Sequence, residues 1–337
     1  MMKYHNFIIT IIFSLLINLC TDVDLAQKRT GQYLGETPPD TIATLFAPGL
    51  ITTGFHTRDI AISPEGDEIY FCVNIGNNTY MTTLFTRRIN DEWTEPQIAS
   101  YARDLEYFTI EPCFSSDGKQ LFFASNRPDS LGKNHNSDIW FVEREGNAWG
   151  HPQNLGTTIN TDGPEFFPSV TKDGTLYFTR DDQRTSISYI YRSRFINGIY
   201  SEPELLPEQI NAGRSRFNAF IAPDESFIII PIFGMPDTYG ATDYYISFHN
   251  NEDQWSNPIN LGKKINSKSR WEYSASISPD GNYLFFMSSK VDTSLVTNHD
   301  IITMRDLNDL SNSPENGNPD IYWIGTSFIQ KLRPNGF

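Results

Sequence analysis

Short runs of apolar residues alternate along the chain with polar turns that contain Asp and Gly. One such stretch is 114–127, which reads Phe-Ser-Ser-Asp-Gly-Lys-Gln-Leu-Phe-Phe-Ala-Ser-Asn-Arg. Asp-Gly supplies the positive φ angles of a two-residue hairpin turn. The aromatic run after it suits a buried strand. The pattern therefore predicts a strand, a tight turn and a second strand.

The same hairpin pattern occurs five times. Its turns are marked, at intervals of 51 to 56 residues, by Gly66, Gly118, Gly174, Glu225 and Gly281. A second phrase, Trp/Tyr-x-x-Pro, lies 25 or 26 residues before each of the last four markers, and a further apolar strand lies between the two phrases. Repeating units of this length, with four short strands each, predict the blades of a β-propeller.

The two ends of the chain contain complementary parts of one blade. The fifth copy supplies three strands, over 275–278, 283–288 and 320–325, and then the chain nearly stops. The missing outer strand is found at 41–47. We therefore predict an all-β propeller of five four-stranded blades, closed by the N-terminal strand, because closure removes two exposed sheet edges. Six blades, the alternative, would need the polar stretch 291–319 to supply strands.

These repeats resemble those of the TolB-type, WD-repeat-like β-propeller family. The Ser-x-Asp-Gly-x-x-Leu-Phe-Phe-x-Ser-x-Arg form at 115–127 is close to the consensus of that family, and the resemblance covers roughly residues 40–335. The fourth copy departs from it at its hairpin, with Glu225 in place of Gly and Pro231 in place of Ser. The resemblance implies a propeller and often a periplasmic or secreted location. It implies no single activity.

The N-terminal residues 1–26 predict a secretory signal. Lys3 precedes an apolar-dominated run over 7–19 that is too short to span a bilayer. A lipoprotein signal that ends before Cys20 is the alternative, and a lipid on Cys20 would then be the one membrane attachment. We expect an exported protein, located in the periplasm, at the cell surface or outside the cell.

Residues 27–39 are polar, contain Gly and Pro, and predict a linker. Residues 40–337 predict a single propeller domain. The stretch 291–319 is rich in Asn, Ser, Asp and Pro and predicts a long inserted loop on one face of the ring, with a helical turn near 304–307.

Composition narrows the possible partners. The 337 residues have a formal net charge of −15, which argues against nucleic acid or an anionic membrane as the main partner. We expect a protein or glycan partner at one face of a monomeric ring. Cys72 and Cys113 fall in different copies and predict two buried thiols rather than a disulfide, and their spacing matches no metal-site motif.

In a propeller, the residues just before the innermost strands line the mouth of the central channel. Counting back from each turn predicts that four acidic residues converge there: Asp59, Glu111, Glu165 and Glu272. The basic residues expected at the same mouth are Arg58, Arg127, Arg180 and Arg216.

Two functional hypotheses follow from the sequence. The first is a binding or scaffold module for a protein or glycan, without enzymatic activity. The second is a glycoside hydrolase or polysaccharide lyase that uses Asp59, Glu111 and Glu165, because hydrolysis needs paired carboxyl groups within about 10 Å of each other and a neighbour that tunes their pKa. We expect no cofactor and no metal. Calcium at the channel is the one exception, because calcium binds carboxylate oxygens.

The tryptophans divide into two groups. Those at fixed repeat positions are expected to pack between blades: Trp140, Trp149, Trp255 and Trp323. Trp271 has no repeat equivalent and is the candidate for stacking against a sugar.

Overall fold

A computed structural model describes residues 28–129, 132, 136–268, 272–297 and 303–337. In this part of the chain the strands form five antiparallel sheets around a central channel, one for each sequence repeat, with one further two-stranded hairpin. The predicted five-bladed, all-β propeller is therefore confirmed. The proposed signal segment with Cys20, and Trp271, lie outside the described residues.

Each blade begins at the channel and ends at the rim. The innermost strands are His56–Ile62, Thr109–Phe114, Glu165–Val170, the pair Ser215–Arg216 and Phe220–Ile221, and Ser276–Ile277. The second strands are Glu68–Ile75, Gln120–Ser125, Leu176–Asp182, Phe227–Phe233 and Tyr283–Ser288. The third strands are Tyr80–Ile89, Asp138–Glu145, Ile187–Ser193, Thr242–Phe248 and Asp320–Gly325.

The outer strands are short. Those that complete the blades are Gln97–Ile98, Gln153–Asn154, Glu204–Leu205, Ile259–Asn260 and Thr44–Leu45. Short additional strands follow the third strand of the first two blades at Glu92–Trp93 and Ala148–Trp149, and a separate hairpin joins Phe195–Ile196 to Ile199–Tyr200.

The ring closes through its first strand. Thr44 pairs with Trp323 and Leu45 with Tyr322, and the Phe46 amide donates to the Ile321 carbonyl at 2.9 Å. The Phe46 side chain is fully buried, which stabilises the fold by about 1.5–3 kcal/mol. The predicted closure is confirmed, and it depends on a contact between the two ends of the propeller.

Residues 28–39, predicted as a linker, pack against the ring. The Trp93 indole N–H donates to the Gly31 carbonyl at 2.8 Å, Leu34 is buried, and the Tyr33 ring meets Tyr283 edge-on at 5.2 Å. This segment therefore links the first blade to the fifth. Short 3-10 segments lie at Gln32–Gly35, Ser100–Ala102 and Thr326–Leu332.

The described parts of the insert, 291–297 and 303–319, contain two helices, Ser294–Thr297 and Met304–Ser311. A capping box between Thr303 and Asp306 begins the second helix. The insert is fixed to the start of the first blade, because Asn316 and Asn318 both donate to the Gly54 carbonyl, at 3.0 and 2.8 Å. No helix among the described residues is long and apolar enough to cross a membrane.

The fourth hairpin forms despite its unusual sequence. Glu225 adopts the left-handed conformation, with φ of 58°, and its carboxylate accepts a hydrogen bond from the Tyr177 hydroxyl at 2.7 Å. This contact to the third blade accompanies a backbone conformation that Gly adopts more easily.

The packing prediction for the tryptophans agrees with the structure, and the prediction for the cysteines agrees in part, because both thiols are free but only Cys72 is buried. The four tryptophans at repeat positions are buried: Trp140, Trp149, Trp255 and Trp323. Cys72 and Cys113 are free thiols, the first buried and the second partly exposed.

Candidate functional site at the channel

The central channel is narrowed by five residues, one from each innermost segment. All five lie seven positions before the turn marker of their blade and have left-handed backbones: Asp59, Glu111, Phe167, Asn218 and Ser274. We call this set the bulge ring. In the first three blades the pairing register shifts at this point, as expected for a β-bulge, in which two residues oppose one. A bulge re-aims side chains, and here it turns one residue per blade toward the axis.

Arg58 joins two acidic members of the bulge ring. Its Nε lies 2.6 Å from Asp59 Oδ2 and its Nη2 lies 2.6 Å from Glu111 Oε1. Because two nitrogens of one guanidinium contact both carboxylates, the two carboxyl groups lie within the separation of about 10 Å found for paired glycosidase acids. Neighbouring blades supply the two acids.

Glu111 makes further hydrogen bonds across the ring. Its Oε2 accepts from the Phe167 amide at 2.7 Å and its Oε1 from Asn218 Nδ2 at 3.2 Å. Asn218 also donates to Ser274 Oγ at 3.1 Å. Polar contacts therefore connect all five blades at the axis.

Burial and the neighbouring charges change the pKa of Glu111 in this cluster. Burial raises the pKa of Glu111 to about 7, against the opposing effect of Arg58, and the charge of Asp59 raises it further. One buried cation faces two carboxyl groups, so Glu111 takes up a proton more readily than an exposed glutamate.

A polar cavity of about 610 Å³ lies above the bulge ring, at the end of the channel where the innermost strands begin. We call it the upper cavity. Amide side chains, aromatic rings and the buried charge cluster line it, including Asn74, Asn78, Phe166, Phe217, Asn218, Tyr273, Arg58 and Glu111. The insert completes the wall with 317–319. This part of the insert therefore lies at the same mouth of the channel as Arg58 and Glu111.

Tyr273 stands beside the charge cluster. Its ring lies 4.6 Å from the Arg58 guanidinium carbon, in cation–π geometry. Its hydroxyl is 3.2 Å from His56 Nε2. Burial and, secondarily, the charge of Arg58 lower the pKa of His56 to about 3, so this imidazole is neutral at physiological pH. The wall therefore offers an aromatic face and neutral hydrogen-bonding groups.

Two of the predicted acids do not reach the channel. Glu165 accepts from Thr161 Oγ1 at 2.6 Å and from Arg180 Nε at 2.7 Å. Glu272 accepts from the hydroxyls of Ser267 and Ser288, at 2.6 and 3.0 Å. Both lie nine positions before their turn markers, not seven. In a regular strand these positions would share a face, but the intervening bulge reverses the alternation and leaves Glu165 and Glu272 inside their own blades.

Three predicted basic residues have structural contacts instead. Arg180 binds Glu165 and the Ile159 carbonyl. Arg127 Nη2 donates to Tyr101 O and Thr109 Oγ1, at 3.0 and 2.9 Å. Arg216 lies 4.2 Å over the ring of Tyr189 and donates to Asn211. The prediction that these residues meet Arg58 at the channel mouth is therefore wrong, because each guanidinium group is held by contacts within the blades.

Sequence reasoning missed three members of the bulge ring, Phe167, Asn218 and Ser274. A signal was available, because all five members stand at one spacing from the turn marker. The five side chains differ in size and charge, so the residue types do not show that these positions are equivalent. Their common spacing from the turn does show it. Within the described residues, no group of three or more His, Cys, Asp or Glu side chains has the arrangement of a metal site.

The fold is similar to that of several solved structures. One described as a glycoside hydrolase matches with 9% identity and a TM-score of 0.49, over 87% of this chain and 92% of the other. Native Bacillus subtilis arabinanase matches with 12% identity and a TM-score of 0.47, over 82% and 98%. The periplasmic gluconolactonase of Pseudomonas aeruginosa matches with 12% identity and a TM-score of 0.40, over 70% and 69%. At these identities the similarity concerns the fold alone.

No family model matches the sequence, and no curated protein shows significant similarity to it. The resemblance to TolB-type repeats is confirmed for the propeller architecture. The three structures reported above are described as a glycoside hydrolase, an arabinanase and a gluconolactonase, and none of these descriptions names a TolB or WD-repeat protein.

Proposed function

We propose that the protein is a carbohydrate-active enzyme that hydrolyses a glycosidic bond in the upper cavity, with Glu111 as the acid and Asp59 as its carboxylate partner. The observation that carries this proposal is the sharing of Arg58 by these two carboxyl groups. Burial and the charge of Asp59 raise the pKa of Glu111 against the effect of Arg58, and a carboxyl group with a raised pKa is suited to act as a general acid.

The proposed reaction follows from this raised pKa. Glu111 gives its proton to the oxygen that leaves with the departing sugar. Water adds to the sugar carbon and releases one proton, which returns through the solvent to the ionised Glu111, so that a hydroxyl group replaces the broken bond. Asp59, which borders the other end of the channel, acts through the shared Arg58 and not by contact with this water. Tyr273 and Phe217, whose rings lie 6.2 Å apart, supply apolar faces for the sugar ring, and Asn74 and Asn78 supply hydrogen bonds to its hydroxyl groups.

The test is a screen of polysaccharides for the release of reducing ends, with matched variants. Glu111→Gln should lower the rate by about 10²–10⁴-fold, the usual contribution of a general acid. The control is Glu165→Gln, which changes an equally buried carboxyl group that faces its own blade. It should keep the rate within about threefold, provided that its circular dichroism spectrum is native. Equal losses in the two variants would contradict the proposal.

A second candidate is glycan binding without turnover. It is favoured by the existing contacts of Glu111, whose two oxygens already accept three hydrogen bonds, and by the Asp59 side chain, which is only 1% exposed. Calorimetry with the same polysaccharides separates the candidates. Binding that Tyr273→Ala removes, with no reducing ends formed, would support this second function.

A further inference from the structure

A second cavity, of about 780 Å³, lies below the bulge ring, at the opposite end of the channel. We call it the lower cavity. Its lining includes one apolar side chain from each blade, four positions before each turn marker: Ile62, Phe114, Val170, Ile221 and Ile277. Phe220 and Phe227 add partly exposed aromatic rings. Partly exposed apolar side chains that converge in a concavity are typical of ligand sites.

The outer rim of the lower cavity is polar. Turn residues such as Ser116, Lys172, Asp224 and Asp280 surround the opening, and the 3-10 segment Thr326–Leu332 borders one side of it. The apolar surface is therefore recessed behind a hydrated edge. A volume of this size suits a small molecule, since ligand pockets commonly enclose about 300–1,000 Å³.

One polar group borders the inner end of this cavity. Asp59 belongs to its lining, its side chain is 1% exposed, and its Oδ1 has no hydrogen-bond partner among the described residues. A buried acceptor without a donor is costly. Arg58, at 2.6 Å from Oδ2, already offsets its charge, so a neutral donor complements it better than a second cation.

We propose that the lower cavity binds a hydrophobic small molecule that carries one neutral hydrogen-bond donor, with its apolar body between the five blades and its donor toward Asp59. The bulge ring lies between this cavity and the upper cavity, and Asp59 borders only this one. The proposal does not require the protein to be an enzyme.

N-phenyl-1-naphthylamine, an apolar fluorophore with a single N–H, is a suitable probe for the full-length protein. Its fluorescence should rise with saturable binding. The N-methylated analogue lacks the donor and should bind about two- to tenfold more weakly, the range expected for one hydrogen bond. Absence of saturable binding, or equal affinity for both fluorophores, would overturn the proposal.

Two matched substitutions locate the bound fluorophore. Ser276 lines the lower cavity and Asn318 lines the upper cavity. Ser276→Trp should fill the lower cavity and weaken binding at least about tenfold, whereas Asn318→Trp should leave the affinity within about twofold. The reverse pattern would place the fluorophore in the upper cavity and refute the proposal.

Chemical modification of a cysteine measures occupation of the lower cavity without a substitution that fills it. Cys113 lines the lower cavity and is partly exposed. Saturating fluorophore should slow its modification by a disulfide reagent, measured as the difference between wild type and Cys113→Ala. Unchanged modification would contradict the proposal. A concentration-dependent dimer that the fluorophore dissociates would instead assign the cavity to a second copy of the chain and would also contradict it.

Discussion

The two ends of the channel differ although the same five strands build both. The upper cavity has amides, a neutral imidazole and the Arg58 cluster, whereas aliphatic and aromatic side chains dominate the lower cavity. The difference comes from position relative to the bulge. Residues before it vary between blades, while those four positions before the turn are apolar in every blade. A repeat fold can therefore keep one end of its channel uniform for packing and diversify the other.

Replacement of Arg58 by Met should cause the largest loss of stability, and it acts at the polar end of the channel. It would leave Asp59 and Glu111 buried without their shared cation, and breaking a buried ion pair costs about 3–5 kcal/mol. Urea unfolding measures the loss. The control Arg184→Met, at a side chain that is 91% exposed, should change stability by less than about 0.5 kcal/mol. A loss below about 1 kcal/mol for Arg58→Met would mean that the cluster is not an interdependent unit.

The pH dependence of stability should show the raised pKa of Glu111. The native group holds its proton to about pH 7, while the unfolded group releases it near 4.5, so the native state binds more protons between these values. Its contribution is therefore fully present below about pH 4.5 and is lost as the pH rises through 7.

Relative to Glu111→Gln, which cannot titrate, wild type should lose about 3 kcal/mol of stability across this window. Urea unfolding at several pH values gives the difference. His56 titrates in both proteins, and its contribution to stability changes with pH in the opposite direction to that of Glu111. This contribution largely cancels in the difference between wild type and Glu111→Gln. Parallel stability curves for the two proteins would contradict the assignment.

Gly54→Ala should disturb the upper cavity and spare the lower one. A Cβ at this position would lie 2.6 Å from Asn312 Cα and 2.6 Å from Ser311 O, so the insert would have to move. Such overpacking costs about 1–3 kcal/mol, and calorimetry should show weaker saccharide binding. Fluorophore binding in the lower cavity should stay within about twofold.

The control for Gly54→Ala is Gly163→Ala, whose added Cβ would meet Asp181 O at 3.1 Å, outside the lining of both cavities. It should change neither ligand affinity. Loss of fluorophore binding in Gly54→Ala would show that the two ends of the channel are coupled.

Ser274→Gly should have the smallest effect. It removes the hydrogen bond from Asn218, at 3.1 Å, worth about 0.5–1.5 kcal/mol. It also relieves a left-handed backbone with φ of 62°, worth about 1–2 kcal/mol. The net change should lie within about 1 kcal/mol, and below the loss for Ser278→Gly, where Ser278 makes hydrogen bonds to Asp280 and Tyr283. A larger loss for Ser274→Gly would mean that its hydroxyl is more important to the ring than these contacts indicate.

The sequence predicts the propeller well because the fold depends on repeated features. A tight turn followed by an apolar strand recurs in each blade, with Asp-Gly in three of the five turns, and the missing fourth strand of the last blade identifies its partner at Thr44–Leu45. The site is less predictable, because it depends on a change of register in the innermost strands that no single residue type indicates. Glu165 is the same residue type as Glu111, yet a two-residue difference across a bulge places it inside its own blade.

Direct titration of the Glu111 carboxyl group is the measurement that tests the central claim most closely. With carbon-13 at the glutamate carboxyls, the difference between the spectra of wild type and Glu111→Gln isolates this group. We expect its midpoint near pH 7 and a shift of that midpoint when a saccharide occupies the upper cavity. A midpoint near that of an exposed glutamate, about 4.3, would show that Glu111 is ionised at neutral pH and does not serve as the acid.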